Sequence, residues 1–332
     1  MFRVYGVGIK KGGQGKSTTV TTLARLCALY GARVLVVDLA QPGTASTALR
    51  DSWPTGNHGT LSDLLEPFTQ LEEGDQPHPD DVLATLDALH LPVPLLAKPS
   101  WGGGLMALLP YDDLLGSSAR ALRSPFILDG ILRSVDSAFD LILIDYPAEE
   151  GILMDNALLA TDRLMIPFVA DATSLEGIDA TLRMLRRARE GSARATLGGL
   201  ILTRCEPRNR RVGDIVNTMV HSGEIEGESI KDRLLPFAMR HSDFFDQAFR
   251  YGEAVWERTQ DQRVWAGYVL LAEWILSDAG LEAFLSNRRH AALMEDDTRV
   301  MDTIAVATGV GTGEARMGDF RQGTSRVIQP GA

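Results

Sequence analysis

The chain has 332 residues, of which 45% are hydrophobic and 23% charged, and its formal net charge is −11. That composition is typical of a soluble globular protein with enough sequence for a buried core, in one large domain or two small ones. No apolar run approaches the ~20 residues that a membrane span needs, and no N-terminal signal pattern is present. The two cysteines, Cys27 and Cys205, form no motif, and the six histidines have no metal-ligand spacing. We expect a cytoplasmic protein with reduced thiols, and with Cys27 in the core.

Short apolar runs alternate with helical patterns along the chain. Several runs are continuous and β-branched, as expected of parallel strands that are buried on both faces. A helical pattern at 18–29 follows the first run, and a long helix is predicted from about residue 261 into the 280s. The alternation predicts a doubly wound, mostly parallel α/β sheet flanked by helices, with phosphate ligands at the carboxyl ends of the strands. The predicted strands are 4–9, 33–37, 105–109, 141–144, 163–168 and 197–202.

Two segments lie outside this alternation. Residues 68–104 are rich in proline, glycine and acids, and predict an insertion or a long loop. Beyond Met294 the chain is small, polar and glycine-rich, which predicts a mobile tail. We therefore expect a single domain over residues 1–290 and a tail over 291–332.

Charge is distributed unevenly along the chain. Residues 51–100 carry nine acids and one base, whereas residues 183–211 carry nine arginines and two acids. An asymmetry of that size indicates separate surfaces with different partners.

The most informative motif is the glycine-rich run of residues 10–19, between the first predicted strand and the first predicted helix. In that context successive backbone N–H groups can surround a polyphosphate, and glycines let the backbone approach it. Lys16 is predicted to reach the β- and γ-phosphates, and Ser17 to bind Mg²⁺. The ordinary phosphate-binding pattern has glycine where this chain has Lys10, and here Lys11 is followed by two glycines instead.

Two acids end predicted strands. Asp38 follows the run 33–37, and Asp145 follows the run 141–144. An acid in such a position can hold Mg²⁺ or its water ligands beside the loop serine. The alternative for each acid alone is a capped turn, but their shared context favours a metal site formed by Ser17, Asp38 and Asp145.

On these residues the chain resembles the ParA/MinD family of dimerising ATPases, which have a deviant Walker A loop, and most of all the Soj-like ParA partition proteins. Residues 11–17 match the signature loop, Asp38 matches the first acid of the second motif, and residues 139–147 match the Walker B stretch. The resemblance covers roughly residues 3–287. Further similar segments are 157–168, 174–177, 199–204 and 235–237.

The resemblance implies a P-loop NTPase fold, ATP and Mg²⁺ as ligands, and a face-to-face homodimer that ATP closes. Lys11 then reaches the phosphates of the partner and neutralises developing charge, as an arginine finger does. The implied catalytic residues are Lys11, Lys16 and Asp38, and Arg204 and Pro236 are implied to lie near the adenine. The implied nucleotide contacts of the loop are Lys11, Gly12, Gly13, Gln14, Gly15, Lys16, Ser17 and Thr18.

One position departs from the family pattern. The family has a second acid that orients the attacking water, and this chain has Ala40 in its place. An alanine methyl can neither orient nor deprotonate water. The hypothesis is that ATP binding and dimerisation persist while hydrolysis is slow or depends on a partner. Gln41 is a candidate for partial substitution, and a local shift that gives Asp38 both roles is the alternative.

The arginine-rich segment bears on what the ATP switch controls. Apolar residues mark one face of a helical pattern within 173–190, and the arginines lie mostly off that face. Exposed arginines held together in a dimer form a phosphate-binding strip without sequence choice. The alternative is a solvated helix face with local salt bridges. The predicted DNA-binding residues are Arg183, Arg186, Arg187, Arg189, Arg208, Arg210 and Arg211.

We therefore predict a ParA-like partition ATPase, nucleoid-associated, whose ATP-bound dimer coats nonspecific DNA and is released by a ParB-like or other adaptor protein. Residues 318–332 have no apolar face for membrane binding, and the two cysteines do not resemble iron–sulphur ligands. A biotin- or cobalamin-type synthetase fits the fold, although Lys11 favours the dimer switch. The alternative function is an ATP-locked dimeric scaffold that positions a protein partner without segregating DNA.

Overall fold

A computed structural model describes residues 3–96, 103–171, 173–191, 193–206 and 210–286. Within these ranges the strands are β1 (Arg3–Val7), β2 (Arg33–Asp38), β3 (Val93–Pro94), β4 (Leu105–Leu109), β5 (Leu141–Asp145), β6 (Arg163–Val169), β7 (Thr196–Cys205), β8 (Glu224–Ile225), β9 (Glu228–Ser229) and β10 (Leu234–Arg240). The α-helices are α1 (Lys16–Leu29), α2 (Thr44–Leu49), α3 (Leu61–Leu65), α4 (Pro79–Ala88), α5 (Leu115–Ala121), α6 (Ile127–Ser134), α7 (Ile152–Ala160), α8 (Ser174–Glu190), α9 (Arg210–His221), α10 (Ile230–Arg233), α11 (Phe244–Arg250), α12 (Val255–Arg258) and α13 (Ala266–Asp278).

Eight strands form one sheet in the order β10-β7-β6-β1-β5-β2-β4-β3. All neighbours are parallel except β3, which pairs antiparallel with β4. Because β1 lies between β6 and β5, the strand order reverses around it, and ligands of such sheets bind at the carboxyl edge beside the reversal. The predicted doubly wound, mostly parallel fold is confirmed. Strands β8 and β9 form a separate antiparallel hairpin.

The sheet is buried on both faces, which explains its continuous apolar strands. Successive side chains alternate between two core clusters: Val4 and Leu35 face one cluster, and Tyr5 and Val34 face the other. Helices α3 to α10 pack on the first face. Helices α1, α2 and α11 to α13 pack on the second. The result is a three-layer arrangement that holds the loops after the strands at one edge.

All six predicted strands are present, with ends displaced by up to three residues. The sequence does not predict β3 or β10. Pro236 within β10 argues against a strand because proline cannot donate to the ladder, but β10 is at the edge of the sheet, where this loss is tolerated.

The segment 68–104, expected as an insertion or long loop, contains α4 and β3. Val82 and Leu86 of α4 are buried in the core, and β3 extends the sheet at its edge. The described part of this segment is therefore packed onto the sheet. The predicted tail, 291–332, lies outside the described residues.

The predicted C-terminal helix is shorter than expected. A 3₁₀ turn (Gln262–Val264) precedes α13. Gly280 adopts a left-handed φ of +74° just after α13, which ends the helix, and a second 3₁₀ turn (Glu282–Ser286) follows. Across the described ranges we find no helix with the length and apolarity to cross a bilayer. Cys27 and Cys205 are both buried free thiols, as expected for Cys27.

Candidate nucleotide site

The glycine-rich loop joins the carboxyl end of β1 to the first residue of α1. Gly13 and Gly15 have left-handed φ values of +72° and +80°, which a side chain rarely adopts. Gly15 is the N-cap of α1 and supplies no side-chain cap, so the first-turn N–H groups at Lys16, Ser17 and Thr18 face the loop without a capping side chain. This is the anion-binding geometry that the motif predicts.

Gln14 fixes the shape of this loop. Its side chain is buried: Nε2 donates to the carbonyl of Gly12 at 3.2 Å, and Oε1 accepts from the N–H of Val169 at 2.8 Å. The Thr203 hydroxyl donates to the Gln14 carbonyl at 3.0 Å. The side chain of Gln14, a predicted nucleotide contact, ties the loop to β6, and its backbone carbonyl ties the loop to β7.

The two strand-end acids are brought together. Asp38 and Asp145 are register partners on adjacent parallel strands, and both are fully buried. Asp38 accepts hydrogen bonds from the Ala40 N–H at 3.1 Å and from the N–H and hydroxyl of Ser46, both at 2.7 Å. Burial raises the pKa of Asp38, and the hydrogen bonds from Ser46 and Ala40 oppose this. Ser46 is a residue that the sequence analysis misses.

Asp145 differs from Asp38 because neither of its carboxylate oxygens has a hydrogen-bond partner within the described ranges. Burial and the charge of Asp38 raise the pKa of Asp145 to about 8. The Ser17 hydroxyl and the charge of Lys16 oppose this rise, although Ser17 does not reach hydrogen-bonding geometry with either oxygen. Burial lowers the pKa of Lys16, and Asp145 opposes that shift.

These residues fit a magnesium ion that is shared with a polyphosphate. A buried carboxylate with unused lone pairs lies near a serine hydroxyl at a helix N-terminus. Mg²⁺ typically takes one or two carboxylates together with substrate phosphates and water, so a dedicated cage of protein ligands is not required. Ser17, Asp38 and Asp145 remain the predicted metal ligands; Asp145 has both oxygens open to the ion within the described ranges, whereas Asp38 already accepts hydrogen bonds from Ser46 and Ala40.

Lys11, the signature lysine, is bound within its own chain. Its Nζ donates to both oxygens of Asp171, at 2.8 and 2.7 Å, and to the Thr173 hydroxyl at 2.5 Å. Burial raises the pKa of Asp171, but hydrogen bonds from Lys11, Ser174 and Thr173 outweigh it and leave a pKa of about 2. Lys10, the residue that replaces the usual glycine, forms an ion pair with Glu150.

Asp171 and Thr173 are also missed by the sequence analysis. They lie in the turn between β6 and α8, where a run of Asp, Thr and Ser ahead of a helix signals an N-terminus. That signal locates the turn, but it does not show that the turn faces the loop lysine.

A pocket of about 220 Å³ lies beyond the loop, at the ends of β6 and β7. Arg204 lines it and has a left-handed φ of +50°, an uncommon conformation for a residue with a side chain. His241 and Cys205 also line it. Pro236, expected near the base, lies within β10 and is not among the described residues that line this pocket.

The predicted DNA-binding arginines of α8 are largely paired within the chain. Arg183 pairs with Asp179 at 2.7 Å, Arg186 with Glu226 at 2.6 Å, and Arg189 with Glu228 at 3.0 Å. Arg187 is exposed and forms no ion pair with any residue that the structure describes. Arg208 lies outside the described residues, and the backbone of Arg210 and Arg211 begins α9.

Fold and site together define a P-loop NTPase with acids at the ends of β2 and β5. The AAA domain family model AAA_31 matches residues 106–196. The chain is 32% identical over 200 residues to the chromosome-partitioning ATPase Soj of Thermus thermophilus. This match covers 60% of this chain and 68% of that protein. It is 27% identical over 249 residues to the chromosome partitioning protein ParA of Caulobacter vibrioides, covering 73% and 83%.

Among solved structures, the ATP complex of a McdA variant from Cyanothece matches with a TM-score of 0.62 and 21% identity, covering 86% of this chain and 96% of that chain. That likeness concerns the fold. The identity to these sequence relatives and the length of the match show that the chain belongs to the ParA/MinD family of P-loop ATPases.

Proposed function

We propose that this protein is a ParA-like partition ATPase, with residues 1–290 forming one ATPase domain. The observation that carries the proposal is the buried pair of acids beside the phosphate loop, in which the oxygens of Asp145 have no hydrogen-bond partner among the residues that the structure describes. A pair of buried carboxylates without a cation is unfavourable, whereas the same pair next to Mg²⁺ and a triphosphate is the usual requirement of phosphoryl transfer.

In the proposed mechanism, the backbone N–H groups of the loop and Lys16 bind the phosphates of ATP. Ser17 and Asp145 would hold Mg²⁺, which would supply neutralisation of phosphate charge and polarisation of the transferring group. Lys11 leaves Asp171 and contributes its charge to the nucleotide of a second copy, which closes the homodimer.

Hydrolysis is proposed to be slow or partner-dependent because Ala40 supplies no group to position water. Ala40 is buried, and its N–H is committed to Asp38. Removing the group that orients or deprotonates the nucleophile typically costs a factor of ~10²–10⁴ in rate. A slow reaction holds the dimer in its ATP state until a partner protein accelerates release.

The proposed ligand of the ATP dimer is nonspecific DNA. The protein is accordingly proposed to be cytoplasmic and associated with the nucleoid. The support is the arginine face of α8 together with relatives that are named for chromosome partitioning. The side chains of Arg183 and Arg186 are themselves exposed, so a phosphate can approach both guanidinium groups although each is paired with an acid.

The test compares molecular mass in solution with ADP, with ATP and with ATP plus DNA. We expect a monomer with ADP, a dimer with ATP, and DNA binding that requires ATP and weakens with salt. Lys11→Ala should bind ATP and remain monomeric. A monomer under saturating ATP in the unmodified protein would refute the proposal.

The DNA face is tested by changing Arg183, Arg186 and Arg187 together to alanine. The matched control removes three exposed arginines from other elements, namely Arg50, Arg120 and Arg250, and so changes the net charge equally. We expect DNA retention to fall in the first variant, with a salt slope reduced by about 0.9 for each lost phosphate contact. Equal behaviour of the two variants would reject this placement.

The second candidate function is an ATP-locked scaffold that binds a protein partner. The pairing of Arg183, Arg186 and Arg189 with acids of the same chain favours it, because these arginines are already neutralised. An ATP dimer that binds a protein partner and never binds DNA would support this scaffold function and reject DNA partition.

A further inference from the structure

The β8–β9 hairpin covers part of the arginine face of α8 with glutamates. Glu226 pairs with Arg186 at 2.6 Å, and Glu228 pairs with Arg189 at 3.0 Å. Glu228 also pairs with Arg233 through its other oxygen, at 3.0 Å. The carboxylates are mostly buried, with 17% and 12% of the side chains of Glu226 and Glu228 exposed, whereas 61% of the Arg186 side chain is exposed.

The backbone of the hairpin places Glu226 in an unfavourable conformation. Glu226 and Gly227 form the two-residue turn between β8 and β9, and both have positive φ, +53° and +79°. Turns of this kind strongly prefer asparagine, aspartate or glycine at the first position, because a longer side chain is strained there. A glutamate held at such a position, and reaching an arginine 40 residues earlier, indicates a functional constraint.

We propose that the β8–β9 hairpin is an acidic cover that competes with DNA phosphates for Arg186 and Arg189. This inference rests on the proposed function and adds a regulatory element to the same surface. Arg186 donates through Nη1 to Glu226 and also pairs through Nε with Glu190 at 3.5 Å, so a phosphate oxygen competes with Glu226 for the Nη1 donor and is repelled by its charge. The cover thus weakens DNA binding, and any event that draws the hairpin from α8 strengthens it.

The chain offers a matched pair of variants. Glu226→Gln removes the charge that pairs with Arg186 and keeps the size of the side chain. Glu224→Gln makes the same charge change on the same hairpin, but Glu224 is exposed and forms no ion pair with the residues described. Both proteins are examined with ATP and with a DNA duplex of random sequence, by fluorescence anisotropy over a range of salt.

We expect Glu226→Gln to bind DNA about two- to fivefold more tightly than Glu224→Gln, the range that an exposed ion pair supports. The increase in DNA affinity must disappear when Arg186→Ala is combined with Glu226→Gln, because the guanidinium that the first change frees is then absent. ATP-dependent dimer mass, measured in parallel, shows that each variant is folded and switches.

The outcomes separate the two proposals. Equal DNA affinity of the two glutamine variants, with DNA binding intact, overturns the acidic cover and leaves the partition function standing. A gain that persists with Arg186→Ala also overturns it, because it reflects net charge alone. If no variant binds DNA as an ATP dimer, both the DNA function and the cover are rejected.

Discussion

Replacing Asp145 with asparagine should stabilise the protein without nucleotide and disable its nucleotide site. The carboxylate of Asp145 is fully buried and has no hydrogen-bond partner in the described part of the chain, and its burial and the charge of Asp38 raise its pKa to about 8. In the unfolded chain the same group ionises freely in water, near its ordinary pKa of 3.8. Asparagine has nearly the same shape and burial but no charge to desolvate.

The direction of the pH dependence follows because the pKa of Asp145 is higher in the folded state than in the unfolded state. Below pH 3.8 both states are protonated and the residue contributes no pH-dependent difference. Between that pH and about 8, the unfolded state loses its proton while the folded state keeps it, so folding stability falls as pH rises. At ~1.4 kcal/mol per pKa unit, the variant should exceed the unmodified protein by up to about 2 kcal/mol at pH 5 and about 4 kcal/mol at pH 7, levelling above pH 8.

The measurement is urea unfolding of nucleotide-free protein at several pH values from 5 to 8.5. Asp140→Asn is the control, at the residue that immediately precedes the same strand. Burial raises the pKa of Asp140, but hydrogen bonds with Arg33 outweigh it and lower the pKa. Asp140 therefore contributes stability above its unfolded pKa, and its loss should destabilise the protein throughout this range.

When Mg²⁺ and ATP are added, the unmodified protein should become more stable than Asp145→Asn. Ligand binding stabilises the unmodified protein by an amount that grows with the ratio of ligand concentration to Kd, and Asp145→Asn should gain much less. A stability difference between Asp145→Asn and the unmodified protein that stays constant from pH 5 to 8.5 would refute the electrostatic reasoning.

Three further predictions test the site and the core. Ala40→Asp should raise phosphate release by ~10²-fold or more in the presence of DNA, because it adds the carboxylate that positions water; an unchanged rate would show that water is positioned elsewhere. Asp171→Asn should lower the ATP concentration for half-maximal dimerisation about threefold by releasing Lys11, and Asp171→Glu should restore it; light scattering across an ATP titration measures both. Cys27, whose pKa burial raises to about 12, should resist a thiol reagent at pH 8 until the protein unfolds, and fast labelling of folded protein would contradict its burial.

The parts of the structure that the sequence predicts are those fixed by local pattern. A buried parallel strand must be continuously apolar, and a phosphate loop must place glycines at left-handed positions, so β1, β5 and the loop with Gly13 and Gly15 are readable from the residues themselves. The approach of Asp38 to Asp145 also follows, because the carboxyl ends of neighbouring parallel strands meet at one edge.

What the sequence does not predict depends on residues far apart in the chain. Glu226 lies 40 residues from Arg186, and Asp171 lies 160 residues from Lys11, so no spacing rule connects either pair. The arginine-rich segment is evident from its charge, whereas the ion pair of Arg186 with Glu226 depends on the tertiary position of a two-residue turn. Similarly, β10 contains a proline that local rules exclude, and its edge position becomes evident only with the whole sheet.

Helix α8 has a consequence for communication within the molecule. Its first residue, Ser174, shares Asp171 with Lys11, and its second half carries Arg183 and Arg186. The helix has 17 residues and is therefore about 25 Å long, and a rod of that length transmits a small tilt at one end as a larger sideways movement at the other. We therefore expect a spectroscopic probe attached beside Arg187 to report the release of Lys11 from Asp171, at the opposite end of α8, before any DNA is added.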